Sequence, residues 1–341
     1  DQTTYKFNIN SNAFDDALDM FSQFFKGPLF RTEAMCREIM AVDSEDSKNR
    51  IIDSRRLLQV LKHQVDPESD YSKFSTGNLN TLAFGNIEHY GNHLSRTIRN
   101  FHEKHYHPSN MAVVLVGPQP VEELKELAEK HFTCISGSPK SASVPDKPLS
   151  KNMRGQPLFP NSRGKLIKLR PVKDLRDMTV IWELPPTQNL YRRNPCSLLS
   201  YILTNKGEGS WFAALQDLQW ATATSSGVRT QFIDFTLLEA TVSLTEAGMQ
   251  HWEEVVALLY RSLDTIRCAS DAELQAYWME MRTINTLDFQ YREKNTAYEI
   301  APQLSSNMLD FPPEHIISAG WMMDEEIDIS LLRSFLHRML M

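Results

Sequence analysis

The chain has 341 residues, 41% hydrophobic and 23% charged, a globular composition long enough for two domains with substantial cores. Its formal net charge of −7 argues against a nucleic-acid partner, because phosphate recognition draws on clustered Lys and Arg. No apolar run reaches the roughly 18 residues of a membrane span, and the opening Asp1-Gln2-Thr3-Thr4 has no signal-peptide character.

Tyr5-Lys6-Phe7-Asn8-Ile9 alternates apolar and polar residues, which predicts a half-buried strand. A helix should follow, capped by Ser11 or Asn12, with Asp15 and Asp16 at the positive end of its dipole. Phe14, Ala17, Leu18, Phe21, Phe24 and Phe25 form its apolar stripe, and Gly27-Pro28 ends it. Thr32 is placed to cap a second helix carrying Met35, Ile39 and Val42, expected to run on through Ile51, Ile52 and Leu57. On that helix Glu38 and Glu45 stand two turns apart on one face, roughly 10 Å from each other. Taken alone, the pair reads either as a solvated helix face or as a carboxylate available to a metal.

Further along, Leu94, Ile98 and Phe101 mark another helix, Met111 to Gly117 reads as a buried strand, and Val121 to His131 as a helix. His102, His105 and His107 have a spacing open to metal binding, although a partly exposed structural role at a helix end accounts for them better. Residues 136–164 are rich in Pro, Ser, Gly and Lys, the composition of a linker. This divides the chain into domains 1–135 and 165–341. In the second, Leu166 to Leu169, Met178 to Leu184 and Phe232 to Leu244 are expected as strands and Pro195 to Leu203 as a helix. Asn205-Lys206-Gly207-Glu208-Gly209-Ser210 precedes an apolar helix but lacks the Gly-Lys-Ser/Thr ending of a phosphate loop.

The second half echoes the first at a shift of roughly 235–240 residues. A strand ending at Leu244 leads into a helix bearing Trp252, Val255, Val256, Leu259 and Leu263, and a second helix follows near Glu273 to Ile284. The expectation is an α+β fold in which one α/β unit is used twice, both copies incomplete. Cys36, Cys134, Cys196 and Cys268 form no Cys-x-x-Cys pair, which points to buried thiols in a reducing, cytoplasmic setting.

Phe21-Ser22-Gln23-Phe24-Phe25-x-x-Pro28-Leu29, followed by Arg37-Glu38 and Ala41-Val42-Asp43-Ser44-Glu45, closely resembles the pitrilysin/insulinase family of zinc metallopeptidases, on its insulysin and nardilysin branch. Lys73-Phe74-Ser75-Thr76-Gly77-Asn78-x-x-Thr81-Leu82, Tyr106-x-x-Ser109-Asn110-Met111, Arg170-Pro171-Val172-Lys173-Asp174-Leu175-Arg176 and Leu184-Pro185-Pro186 extend the likeness over nearly the whole chain.

The resemblance implies largely antiparallel sheets packed by helices, with pairs of units enclosing a chamber in which peptides are cleaved. In such enzymes a His-x-x-Glu-His helix supplies two zinc ligands and the general base, and a downstream glutamate supplies the third protein ligand. Glu45 matches that glutamate, and Glu38 matches a second acid that orients the site from outside the ligand set. Zinc held by three protein ligands keeps a position for water and lowers its pKa toward ~7. No His-x-x-Glu-His or His-Glu-x-x-His occurs in the 341 residues, so Zn2+ is expected in the intact enzyme and not in this chain alone. Gly207, Gly209 and Ser210, with Thr224 to Val228, resemble the wall that receives a peptide's amino end by strand addition. Asn205-Lys206 stands where insulysins have His-Glu, and Arg55 and Leu58 stand where they commonly carry aromatic residues, so substrate preference does not transfer. The expected partners are peptide substrates together with an upstream segment and a C-terminal half, or a partner subunit. Two functions follow: an internal portion of a zinc endopeptidase, inert alone, or a non-catalytic peptide-binding or scaffold subunit.

Overall fold

The computed structural model describes residues 2–135 and 157–341. By packing they form two units, unit 1 from residues 2–135 and 293–317 and unit 2 from residues 157–292 and 318–341. Residues 293–317, inside the expected domain 165–341, thus group with the first unit. Most of the expected linker, 136–156, lies outside the described residues.

Unit 1 begins with an extended segment, residues 2–10, and helix α1, Phe14–Lys26. Leu18 is fully buried and Phe25 nearly so, as the apolar stripe requires, while Phe24 faces out. Ser11 and Asn12 do not cap α1: they belong to a 3-10 turn, and Ala13 occupies the cap position without a side-chain bond. Tyr5 to Ile9 is not a strand. Rings hold it instead, with Phe7 at 4.8 Å from Phe21 and Tyr5 edge-on to Phe25 at 5.3 Å. The Tyr5 and Tyr106 hydroxyls share a 2.7 Å hydrogen bond, and burial helps push the Tyr106 phenol up to about 12.

Helix α2 spans Thr32–Asn49 and α3 spans Asp53–Gln64. The single helix expected through Leu57 is broken at Ile52, whose extended backbone precedes Asp53, a residue suited to a new helix start. Arg31 takes the cap position of α2, and the Thr32 hydroxyl donates to Asn92 instead (2.9 Å). Helices α4 (Leu79–Ala83), α5 (Ile87–His105) and α6 (Val121–Phe132) complete this stretch. The Lys130 ammonium donates to Asp15 and the His131 imidazole is bonded to it at 2.5 Å, tying α6 to α1; these bonds hold the Asp15 carboxyl below the usual range. Met111 to Gly117, expected as a buried strand, is an extended segment without strand pairing, and Val113 and Val116 are exposed. In both segments the pattern suits a strand, but a strand exists only with a partner.

Unit 2 is built on strands β1 (Asp177–Leu184), β2 (Ala221–Gln231) and β3 (Thr236–Leu244) in the antiparallel order β1-β3-β2. Leu166 to Leu169 adds no strand. Against the sheet pack α7 (Pro195–Leu203), α8 (Trp211–Asp217) and α9 (Glu246–Gln250), with α10 (Trp252–Cys268) packed on α8 and α9 and α11 (Asp271–Tyr291) on α7. Leu198, Leu238, Val242, Leu259, Leu263 and Trp278 are fully buried in one core. Of its three indoles, Trp182 donates to Met339 O (3.1 Å) and Trp278 to Asp324 O (3.0 Å), while Trp211 Nε1 has no partner among the described residues. The described end of the expected linker is anchored here: Leu158 is buried, and its N–H donates to Glu183 at 2.8 Å.

Gly248 is required by a close approach, since a Cβ there would collide with the Trp220 carbonyl oxygen. Helix α12 (Ala297–Asp310) belongs to unit 1, where Ser306 Oγ donates to Gln2 at 2.5 Å. The last helix, α13 (Ile329–Leu340), returns to the unit 2 core through Phe335 and Leu336. The architecture is α+β, with a small antiparallel sheet.

Candidate functional site

Helix α2 carries both singled-out glutamates in one continuous run of backbone, so their two-turn separation keeps them on a shared face. Ile39, buried, lies about 100–120° around the helix from that face. After Glu33 in its first turn, α2 carries Glu38, Asp43, Glu45 and Asp46, and their uses differ. Asp43 accepts from the Leu79 N–H at 2.8 Å, holding the start of α4. Asp46 accepts from Arg50 (2.8 Å) and from the Asn78 amide (3.3 Å). Glu38 and Glu45 are exposed and make no hydrogen bond or ion pair among the described residues. The helix therefore spends its aspartates on structure and leaves its glutamates to solvent.

The Lys73-to-Leu82 motif is the structural neighbour of these acids. Asn78 caps α4 by accepting from the Asn80 and Thr81 N–H groups, and Thr81 returns a bond to the Asn78 N–H (2.9 Å), a reciprocal capping box. Asn49 donates to Thr76 at 3.2 Å. Lys62 donates to the carbonyls of Tyr71 (3.1 Å) and Lys73 (2.7 Å), and burial pushes its ammonium pKa down. The motif thus locks a loop beneath the second half of α2. This anchoring role for Asp43 and Asp46 was not legible beforehand, because their partners lie more than thirty positions away.

The three histidines do not converge. His102 stacks on Tyr106 with centroids 4.4 Å apart, and burial lowers its pKa. His105 packs against Phe101, and His107 Nδ1 bonds Ser109 Oγ at 2.8 Å within a short 3-10 turn. A hydrolytic zinc ion needs three protein ligands. Among the described residues no group of three or more His, Cys, Asp or Glu side chains is placed to hold a metal ion, so by themselves they do not fit zinc.

In unit 2, Gly207, Gly209 and Ser210 form one loop before α8. The Gly207 N–H donates to Asn205 Oδ1 (2.7 Å), Gly209 has φ +79°, and Ser210 caps α8 by accepting from the Ala213 N–H (3.1 Å). Gly209 is glycine because that left-handed backbone disfavours a side chain. Thr224 lies in β2 opposite Val242, and its buried hydroxyl lacks a hydrogen-bond partner among the described residues. Strand β2 lies at one edge of the three-stranded sheet and α8 packs on it. All four cysteines are free; Cys196 is buried and its thiol pushed up to about 12, but Cys134 and Cys268 are exposed, contrary to the expectation of buried thiols. Among the described residues no helix is long and apolar enough to cross a membrane.

The family model described as "Peptidase M16 inactive domain" matches residues 95–279, and that of "Insulinase (Peptidase family M16)" matches residues 1–67. The chain is 33% identical over 312 residues to insulin-degrading enzyme-like 1, peroxisomal, of Arabidopsis thaliana, covering 92% of this chain and 31% of that protein. It is 31% identical over 325 residues to a nardilysin-like protein of the same plant, covering 93% of this chain and 30% of the relative. For the human insulin-degrading enzyme the identity is 27%, with 95% and 31% covered. The chain spans about a third of the length of these relatives. The crystal structure of pitrilysin superposes with a TM-score of 0.78 at 21% identity, over 96% of this chain and 34% of that one, a likeness of fold. With its larger family match spanning more than half of its residues, the chain belongs to the M16, or insulinase, family of peptidases.

Proposed function

We propose that this chain is a portion of a zinc-dependent endopeptidase that cleaves peptides in an enclosed chamber, and that alone it does not cleave them. Glu45 is the carboxylate it contributes to the metal, and Glu38 a neighbouring acid that orients the site. The observation that carries this reading is the division of labour on α2, where Asp43 and Asp46 are consumed by structure while Glu38 and Glu45 stay unpartnered and exposed. Exposed carboxylates add little to stability, so their placement suits a ligand role completed by imidazoles from other residues. Gly207, Gly209, Ser210 and Thr224 serve peptide binding, with the β2 edge as the strand-addition surface. Four free cysteines suit a reducing compartment, the cytoplasm in this reading. The test is peptide hydrolysis by the purified 341-residue chain with and without added zinc. No zinc-dependent turnover is expected; turnover abolished by Glu45→Gln would overturn the proposal.

A second reading, a non-catalytic peptide-binding or scaffold subunit, draws support from the description of the larger matching model as an inactive domain. Fusing a His-x-x-Glu-His-bearing segment of a relative to the chain separates the two. Restored cleavage that needs Glu45 supports the first reading, and folded but inert fusions support the second.

A further inference from the structure

Strand β2 departs from regular pairing twice, and each departure leaves an extra residue between its partners on β3. The second one carries a charge. Val228 faces Leu238 and Thr230 faces Leu237, so Arg229 is inserted without a β3 residue of its own. A bulge of this kind on an edge strand re-aims the extra side chain. Arg229 is turned back over the sheet: its Nη1 donates to Glu239 Oε2 at 2.6 Å, and its side chain is only 17% exposed. Glu239 is the β3 residue opposite Gly227, so the guanidinium is held on the face of the sheet that Gly227 shares. A Cβ at Gly227 would meet nothing within 4 Å, which leaves open space on the strand beside the charged pair. Half of the guanidinium is unused. Its Nε–H is buried and has no acceptor among the described residues, a costly state for a charged donor. An arginine offers forked edges suited to carboxylates, and Glu239 engages Nη1 alone.

We infer that Arg229 is a specificity-determining residue, selecting peptides that carry an acidic side chain, Asp or Glu, on the segment laid along the β2 edge. The carboxylate enters the open space beside Gly227 and takes the Nε–Nη2 edge of the guanidinium, while Glu239 keeps Nη1. A small turn of the long Arg229 side chain brings the buried Nε–H to the newcomer, and Arg229 then bridges two acids. Facing residues of paired strands bring their Cβ atoms to about 5 Å, so a Glu placed against Gly227 has the reach. The inference rests on the reading of the β2 edge as the strand-addition surface and adds a side-chain preference to it. Neither zinc nor hydrolysis enters.

The test uses the full chain and two fluorescent heptapeptides with free amino ends, built of alternating Val and Thr, one with Glu at its centre and one with Gln. By anisotropy the Glu peptide should bind about tenfold more tightly, the effect of one charge-assisted fork, and the preference should shrink as salt rises. Hydrogen exchange should slow across β2, Ala221–Gln231, with either peptide. Arg229→Gln should make the two peptides bind alike. Because that change leaves Glu239 unpaired in the sheet, the double variant Arg229→Gln, Glu239→Gln, which removes both charges, is measured beside it, with thermal melts to confirm the fold; it should lose the preference too. Glu239→Gln alone frees the whole guanidinium and should widen the preference. Equal binding of the two peptides with β2 protected, or a Glu preference that survives in the double variant, would overturn the role of Arg229 and leave the strand-addition reading standing. Binding of neither peptide, or binding without protection of β2, would overturn that reading and the inference with it.

Discussion

Unit 2 closes around a paired sheet, whereas unit 1 is helical around a hollow. In unit 2, β3 has a partner on each side, and Leu238, Val242, Leu259 and Trp278 fill the space beneath it. In unit 1 residues 3–9 are held by ring contacts, and neither they nor the extended residues 111–117 belong to a ladder. The difference shows that helices form on local terms, because their hydrogen bonds are internal, whereas a strand takes its identity from a neighbour. It also shows where each unit is robust: unit 2 in its core, unit 1 in its helices.

The largest expected effect breaks the closed unit. Trp278→Ala removes a fully buried indole and its bond to Asp324, and should destabilise unit 2 by about 3–5 kcal/mol in denaturant titrations. Phe7→Ala in unit 1 removes a ring that is only partly buried and should cost about 1 kcal/mol. Equal costs would mean that residues 3–9 are integrated as firmly as the unit 2 core. Gly248→Ala comes next: its Cβ would press on the Trp220 carbonyl, an overpacking worth about 1–3 kcal/mol, read as a lowered Tm.

A smaller effect lies in the pH response of unit 1. Burial lowers the His102 pKa from its ordinary 6.5, so the unfolded chain takes up that proton first as the medium acidifies. Stability should fall as pH drops below 6.5 and level off once His102 itself is protonated. His102→Phe keeps a ring against Tyr106 and should remove this part of the slope in thermal melts between neutral and mildly acid pH. An unchanged slope would refute the assignment. Smallest of all, Glu38→Gln and Glu45→Gln should each shift stability by no more than about 0.5 kcal/mol, because neither carboxylate has a partner to lose. A larger loss for Glu45→Gln would show that its charge serves the fold.

Legibility in the sequence followed the same divide. The stripe from Phe14 to Phe25 and the run Trp252, Val255, Leu259, Leu263 are local periodicities, and both became helices. The alternation at Tyr5 to Ile9 and the apolar run Met111 to Val116 were just as clear, but no pattern in a segment reveals whether a partner will be beside it. Strand β2 is largely Ala, Thr and Ser, which carries little hydrophobic alternation; it exists because β3 templates it through pairs such as Thr224 with Val242. At the candidate site, spacing alone placed Glu38 and Glu45 on one face of α2. The contrast with Asp43 and Asp46 needed the tertiary contacts to Leu79 and Asn78, which no local signal encodes. Likewise the collision awaiting a Cβ at Gly248 depends on Trp220, brought near by folding.

Hydrogen exchange of the 341-residue chain, resolved to short peptides, addresses the contrast between the units most directly. Fast exchange is expected across 3–9 and 112–117, comparable to unstructured backbone, and slow exchange across β3 from Thr236 to Leu244, limited by unfolding of unit 2. Comparable protection in the two regions would contradict it, since residues 3–9 and 112–117 would then have strand partners of their own.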